Sequence, residues 1–177
     1  MQQPSELKPQ RFYSLASLVV QEIERCHRGI DSTHVEGLVR ELRSARRVLC
    51  FGAGREGMAL RAWVIRMQHL SLQASFVGEA SCPPPGMGDL LVTSVGPSHT
   101  AAVTSVCNES RKRGCKIVVF APGSVSLPFN CERTIRIPPA RPSASETGIA
   151  TRRKLSGGGE SVLPHGGQYE LALHSTL

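Results

Sequence analysis

The residues that most directly suggest chemistry form a glycine-rich turn, Gly52-Ala53-Gly54-Arg55-Glu56-Gly57, between an apolar run and a helical pattern. Glycine lets the backbone approach a ligand closely, and the free N–H groups at a helix N-terminus bind anions. Arg55 adds a guanidinium that can bind two phosphate oxygens at once. The turn therefore predicts a phosphate site, with Gly54 and Arg55 as its candidate ligands.

The same turn also fits the pattern G-x-G-x-x-G, which leaves two alternatives open. Glu79 follows the next apolar run at the spacing where an acid would bind the ribose of a dinucleotide. One alternative is therefore a nicotinamide-dependent oxidoreductase, and the other is a tight turn that binds nothing. The helical pattern before the turn disfavours a dinucleotide site, because such folds usually begin at their first strand.

A second polar segment, residues 93–100, follows another apolar run and directly precedes a helical pattern. Its hydroxyl groups at Ser94, Ser98 and Thr100, together with N–H groups at the helix N-terminus, could bind a second side of the same anion. Capping of the helix by Ser98 or Thr100 is the alternative. Both loops leave the carboxyl ends of parallel strands, where open α/β sheets bind their ligands.

Strand and helix patterns alternate along the chain and predict the elements that position these loops. Apolar spacings of three and four over residues 11–46 predict two amphipathic N-terminal helices, broken near residues 29–32. Apolar runs then predict five short strands, and helical patterns separate some of them, which favours a doubly wound parallel sheet. The strands are expected at 48–51, 74–77, 90–93, 117–120 and 134–137, with helices near 58–70 and 101–113.

The 177 residues are expected to form a single domain whose sheet core spans residues 47–137. Residues 138–167 are rich in Pro, Gly, Ser and Arg and predict a long loose loop, and residues 168–177 predict a short C-terminal helix. With 40% hydrophobic residues, the chain falls outside the disordered class.

The formal charge of +7 comes from short basic clusters at 43–47, 111–113 and 152–154. We expect solvated helix ends there rather than a nucleic-acid surface, the alternative interpretation, because no aromatic residues interleave with the basic ones. A positive domain also suits a small anionic ligand. No partner nucleic acid is therefore expected.

The six cysteines form no C-x-x-C pair and have no histidine at metal-ligand spacing, so neither a metal site nor a disulfide framework is expected. Cys50 lies in an apolar run and is expected to be a buried hydrophobic residue. The sequence has no secretory pattern at Met1-Gln2-Gln3-Pro4 and no apolar run long enough for a membrane span. We therefore expect a cytoplasmic protein without membrane association and with reduced thiols.

Four segments of the chain, residues 47–62, 66–70, 88–94 and 169–173, carry a likeness to a known family. Together they resemble the sugar isomerase (SIS) domain family, and within it the 6-phospho-3-hexuloisomerases. The resemblance implies a three-layer αβα sandwich with a five-stranded parallel sheet, a pocket for a phosphorylated sugar, and homodimers or homotetramers whose neighbours complete the sites. It also implies an isomerase that interconverts hexulose 6-phosphates through an enediol without a cofactor.

By the same resemblance, Glu170 would be the catalytic base and His69 would assist ring opening or proton transfer. Ser94 would match the first serine of the family loop S-x-S-G-x-T, with Ser98 and Thr100 nearby; Gly54 and Arg55 would match its first turn. The chain departs from this loop: it has Gly96 and Pro97 where the pattern has serine and glycine, and one extra residue before Thr100. A non-catalytic module that binds or senses a phosphosugar is therefore the alternative to an enzyme.

Overall fold

The structure, a computed structural model, describes residues 9–96, 101–123, 125–138 and 172. Within them two N-terminal helices precede five strands, and a helix follows the first and the third strand, as the apolar patterns predict. The elements are α1 (Pro9–Arg28), α2 (Ser32–Ser44), β1 (Val48–Phe51), α3 (Gly54–His69), β2 (Ala74–Phe76), β3 (Leu90–Ser94), α4 (Ala101–Lys112), β4 (Lys116–Pro122) and β5 (Arg133–Ile137).

The five strands form one parallel sheet in the order β2-β1-β3-β4-β5. In its registers Val48 pairs with both Ala74 and Leu90, so β1 lies between β2 and β3. The chain runs from β1 to one side and then crosses back to β3 on the other, which makes the gap between β1 and β3 the topological switch point. The predicted α/β fold with a five-stranded parallel sheet is confirmed.

Alternate strand residues pack into two cores, one on each face of the sheet, because successive side chains of a strand point to opposite sides. One core joins Val48, Cys50 and Val92 to the buried faces of α2 and α3, including the completely buried Leu60. The other joins strand residues such as Leu49 and Leu91 to α4 through Val103 and Cys107. Helices on both faces make the three-layer arrangement, and Cys50 is completely buried, as expected.

Helix α3 begins four residues earlier than the pattern over 58–70 predicts. Its first residue is Gly54, so Arg55, Glu56 and Gly57 belong to the first helical turn rather than to a loop before it. Gly54 has φ +55°, a left-handed value that other residues adopt at a cost. The sequence signal failed here because glycines, which normally end helices, open this one.

Two arginines of the basic cluster at 43–47, the exposed Arg46 and the partly buried Arg47, hold a buried carboxylate at the amino-terminal edge of the sheet. Asp89 has a fully buried side chain and accepts hydrogen bonds from Arg46 and Arg47, at 2.7 Å from Arg47 Nη2, and from the backbone N–H of Gly86 at 2.9 Å. Burial raises the pKa of Asp89, but the hydrogen bonds from Arg47 and Arg46 outweigh it and lower the pKa below its ordinary value. This cluster joins the starts of β1 and β3 and is a structural feature.

The predicted loop at 138–167 and the predicted helix at 168–177 lie outside the described residues, apart from Pro138 and Ala172. Ala172 is helical and completely buried, and it packs into the same core as Cys26 and Ile135. Ala172 therefore lies on the face of the sheet that α3 also covers.

Candidate functional site

The two predicted loops meet at the carboxyl edge of the sheet, at the switch point between β1 and β3. Phe51, the last residue of β1, pairs with Thr93, and the next residue of β3 is Ser94. The glycine turn leaves β1 at this level, so Gly54 and Ser94 stand on the two sides of the crevice where such sheets bind ligands. The structure brings these two candidate residues to one place.

Close contact between the glycine turn and the first turn of α3 fixes the shape of one side of the crevice. A Cβ atom added at Gly57 would lie 2.3 Å from the carbonyl oxygen of Gly52, so the first turn of α3 packs directly on the end of β1. Gly57 N–H donates to Ala53 O at 3.2 Å. The N-terminus of α3 is thereby held against the crevice, and Arg55 is exposed on its first turn.

Two hydroxyl residues at the end of β3 lie next to the glycine turn and have different hydrogen-bond partners. Thr93 is completely buried and donates from Oγ1 to the carbonyl oxygen of Phe51 at 2.7 Å, which ties β3 to β1 just below the crevice. Ser94 is 1% exposed and donates from Oγ to Oε2 of Glu56 at 2.8 Å. Thr93 is thus structural, whereas Ser94 lies at the floor of the candidate site.

Glu56 is a site residue that the sequence interpretation missed. It lies in the first turn of α3, and its carboxylate reaches across the crevice to the end of β3. A Cβ atom added at Gly96 would lie 1.7 Å from Oε1 of Glu56, so the carboxylate occupies the space that a side chain at position 96 would need. The available signal was the coincidence of an acid in the glycine turn with a glycine in place of the second loop serine.

Four candidate residues remain: one lies at the far end of α3, and three lie outside the part of the chain that the structure describes. Ser98, Thr100 and Glu170 lie outside the described residues. His69 is the last residue of α3 and is exposed. Fifteen residues separate it from Gly54 at the other end, roughly 22 Å along the helix axis. The structure therefore does not bring His69 to the crevice of its own chain.

Glu79, the acid considered for a dinucleotide ribose, forms an ion pair with Arg61 of α3. The same guanidinium lies 3.9 Å from the centre of the Phe76 ring, so Arg61 joins the end of β2 to α3. This arrangement gives Glu79 a structural partner at the outer strand of the sheet, beyond β1.

The six thiols are free, and burial raises the pKa of four of them, including the partly exposed Cys82. Burial raises the pKa of Cys107 and of Cys115 to about 12, and it raises that of Cys50 as well. Thiols in such surroundings are poor nucleophiles. Across the described ranges, no three His, Cys, Asp or Glu side chains gather as metal ligands.

None of the helices in the part of the chain that the structure describes has the length and apolar character needed to cross a membrane.

Comparison with known proteins places the chain near a group of sugar-phosphate isomerases. It is 32% identical over 104 residues to a 3-hexulose-6-phosphate isomerase of Mycobacterium gastri, which is 59% of this chain and 52% of that protein. It is 29% identical over 86 residues to a 3-hexulose-6-phosphate isomerase of Methanocaldococcus jannaschii, 49% of this chain and 48% of that protein. The chain thus spans about half the length of these curated relatives. No family model matches it.

Solved structures share the fold at lower identity. A hypothetical protein of known crystal structure has a TM-score of 0.76 at 22% identity, over 93% of this chain and 82% of that one. A Methanococcus jannaschii protein, whose structure infers a molecular function of 3-hexulose-6-phosphate isomerase, has a TM-score of 0.64 at 18% identity, over 94% of this chain and 86% of that one. The sugar isomerase domain of an RpiR transcription factor from Sphaerobacter thermophilus has a TM-score of 0.61 at 14% identity, over 94% of this chain and 89% of that one.

The chain is related in sequence to 3-hexulose-6-phosphate isomerases and has the fold of the sugar isomerase (SIS) domain.

Proposed function

We propose that the protein binds a phosphorylated sugar at the β1–β3 switch point and interconverts hexulose 6-phosphates. The observation that carries the proposal is the meeting of the glycine turn with Ser94 in one crevice, in a chain related to 3-hexulose-6-phosphate isomerases. In that crevice Gly54, Arg55 and Ser94 would face the phosphate, with Ser98 and Thr100 of the second loop beside them. No cofactor is needed for this reaction.

The chemistry moves a carbonyl group along the sugar chain without net oxidation. A base removes the proton from the carbon next to the carbonyl, the electrons form an enediol, and a proton returns to the former carbonyl carbon. The developing oxyanion needs a hydrogen-bond donor, and the base needs to reach the carbon-bound proton. We assign the base to Glu170 and a supporting proton transfer or ring opening to His69.

His69 can serve such a site if it belongs to the pocket of a neighbouring copy. Met58 and Ile65 lie seven residues apart on one exposed stripe of α3, and His69 continues this stripe one turn beyond Ile65. Tyr13 and Val20 form a similar exposed pair on α1. Exposed apolar stripes of this kind mark protein contacts, so we propose a homodimer or homotetramer in which α3 carries His69 to its neighbour.

A phosphosugar-binding module without turnover is the second candidate. The loop after β3 has Gly96 and Pro97 where the resembled pattern has serine and glycine, and Ser94 already donates to Glu56. The sugar isomerase domain of a transcription factor shows that this fold also occurs outside enzymes. The cytoplasmic location expected from the sequence stays a prediction.

Turnover and binding measured side by side separate the two candidates. We expect the full chain to convert 3-hexulose 6-phosphate to fructose 6-phosphate, and Glu170→Gln to bind the sugar phosphate while losing about 10²- to 10⁴-fold in rate. Wild type that binds but never turns over would establish the binding module. NAD serves as a control ligand in thermal shift, because a ligand of the folded state must raise its apparent stability.

Mixing of two inactive variants tests the shared site. Glu170→Gln and His69→Ala subunits, unfolded and refolded together, would form mixed oligomers in which one crevice has both side chains intact. We therefore expect activity to return on mixing. Two active-site residues from the same chain would give no recovery.

A further inference from the structure

The carboxylate of Glu56 occupies the part of the crevice that a phosphoryl group would use. Oε2 accepts a hydrogen bond from Ser94 Oγ at 2.8 Å, and Oε1 lies over Gly96. Ser94 is 1% exposed, so its hydroxyl lies at the floor of the crevice rather than on an open surface. Glu56 itself is half-buried in the first turn of α3.

The carboxylate of Glu56 occupies space that is open only because residue 96 is a glycine. Any side chain at position 96 would start 1.7 Å from Oε1 and 2.8 Å from the carboxyl carbon of Glu56. The absence of a side chain at Gly96 therefore allows Glu56 to reach Ser94, and a carboxylate replaces the hydroxyl group that a serine at 96 would present. This exchanges a hydrogen-bond donor for a charged acceptor.

A phosphate would compete with this carboxylate for the same groups. A serine hydroxyl has one proton to donate, and in the Ser94–Glu56 contact that proton is directed to Oε2. The first turn of a helix favours a negative charge, and the carboxyl group of Glu56 lies there. A phosphomonoester that binds beside Glu56 is repelled by the like charge of the carboxylate. It also does not receive the hydrogen bond of the Ser94 hydroxyl, which goes to Glu56.

We propose that Glu56 is a specificity-determining residue that limits the affinity of the site for the phosphoryl group. The inference rests on the proposed function, because it concerns the phosphate half of that crevice. Binding of a sugar phosphate requires the Glu56 carboxylate to leave Ser94, whereas an unphosphorylated sugar does not have to displace it.

The test compares dissociation constants for fructose 6-phosphate and for fructose, measured by titration calorimetry on the full chain. We expect Glu56→Gln to bind fructose 6-phosphate at least about 10-fold more tightly than wild type, about 1.4 kcal/mol, with no change for fructose. Glu36→Gln, at an exposed position on α2, makes the same change in net charge and should alter neither constant more than about 2-fold. Glu56→Ser, a second variant without the carboxylate, should also tighten binding.

Substitution of Ser94 separates competition from a general structural effect. Ser94→Ala should change fructose 6-phosphate binding little in wild type, because Glu56 already holds the hydroxyl, but should remove most of the gain in the Glu56→Gln background. Equal affinity of wild type, Glu56→Gln and Glu56→Ser would overturn the inference while the proposed function stood. Failure of every variant to bind fructose 6-phosphate would overturn both.

Discussion

Gly57→Ala is predicted to destabilise the fold by separating the first turn of α3 from the end of β1. The new Cβ atom would lie 2.3 Å from the carbonyl oxygen of Gly52 and 2.9 Å from its carbon, where ordinary contacts begin at 3.4 Å. Both atoms belong to the backbone, so relief requires helix and strand to move apart by about an ångström.

The expected change in the free energy of unfolding is the sum of two opposing effects. Overpacking at a close backbone contact costs about 3 kcal/mol, and replacing glycine by alanine within a helix returns about 1 kcal/mol. We therefore expect a loss of about 2 kcal/mol, which lowers the melting temperature of a chain of this size by about 4–8 °C. Urea unfolding followed by far-ultraviolet circular dichroism measures the loss directly.

Gly96→Ala is the matched control in the same crevice. Its Cβ atom would lie still closer to a neighbour, 1.7 Å, but that neighbour is Oε1 at the end of the Glu56 side chain, which can rotate away. The expected cost is the Ser94–Glu56 hydrogen bond, about 1 kcal/mol or less. If Gly57→Ala is as stable as wild type, or if Gly96→Ala is the more damaging of the two, the account of the glycine turn is wrong.

Two further substitutions test the supports of the crevice. Asp89→Asn should lose about 2 kcal/mol by chemical denaturation, because charge-assisted hydrogen bonds from Arg46 and Arg47 are removed from a buried side chain. The folded pKa of Asp89 is lowered, so its contribution is present above its unfolded pKa near about 4 and is lost as pH falls through the folded value. Wild type and Asp89→Asn should therefore converge in stability on acidification; a constant gap down to acid pH would contradict this. Thr93→Val should lose about 1–2 kcal/mol because the hydrogen bond from Thr93 Oγ1 to the carbonyl of Phe51 is removed, and an unchanged urea midpoint would show that this bond does not support the crevice.

The centre of the sheet was predictable because β1, β3 and β4 are short apolar runs rich in Val, Leu and Ile. Residues 90–94 are buried along their whole length and so are the first three residues of 48–51, and a buried parallel strand shows this pattern locally. The start of α3 was not predictable from pattern, since Gly57 is required by its approach to Gly52 rather than by helix propensity.

The contacts that sequence reasoning missed join residues far apart in the chain. Glu56 and Ser94 are separated by 38 positions, and Arg47 and Asp89 by 42. Both pairs exist because β3 lies next to β1, and no local pattern encodes that neighbourhood. Arg47 was expected to be solvated at a helix end, but its partner is Asp89, the residue that precedes the neighbouring strand β3.

Isotope exchange tests the proposed enediol chemistry most directly. When the full chain is incubated with fructose 6-phosphate in D₂O, the account predicts 3-hexulose 6-phosphate as product and solvent deuterium at C3 of the recovered fructose 6-phosphate, both abolished in Glu170→Gln. Deuterium at C1 instead would indicate a different isomerisation. Bound fructose 6-phosphate with no deuterium at any carbon and no product would contradict the proposal that this protein is an isomerase.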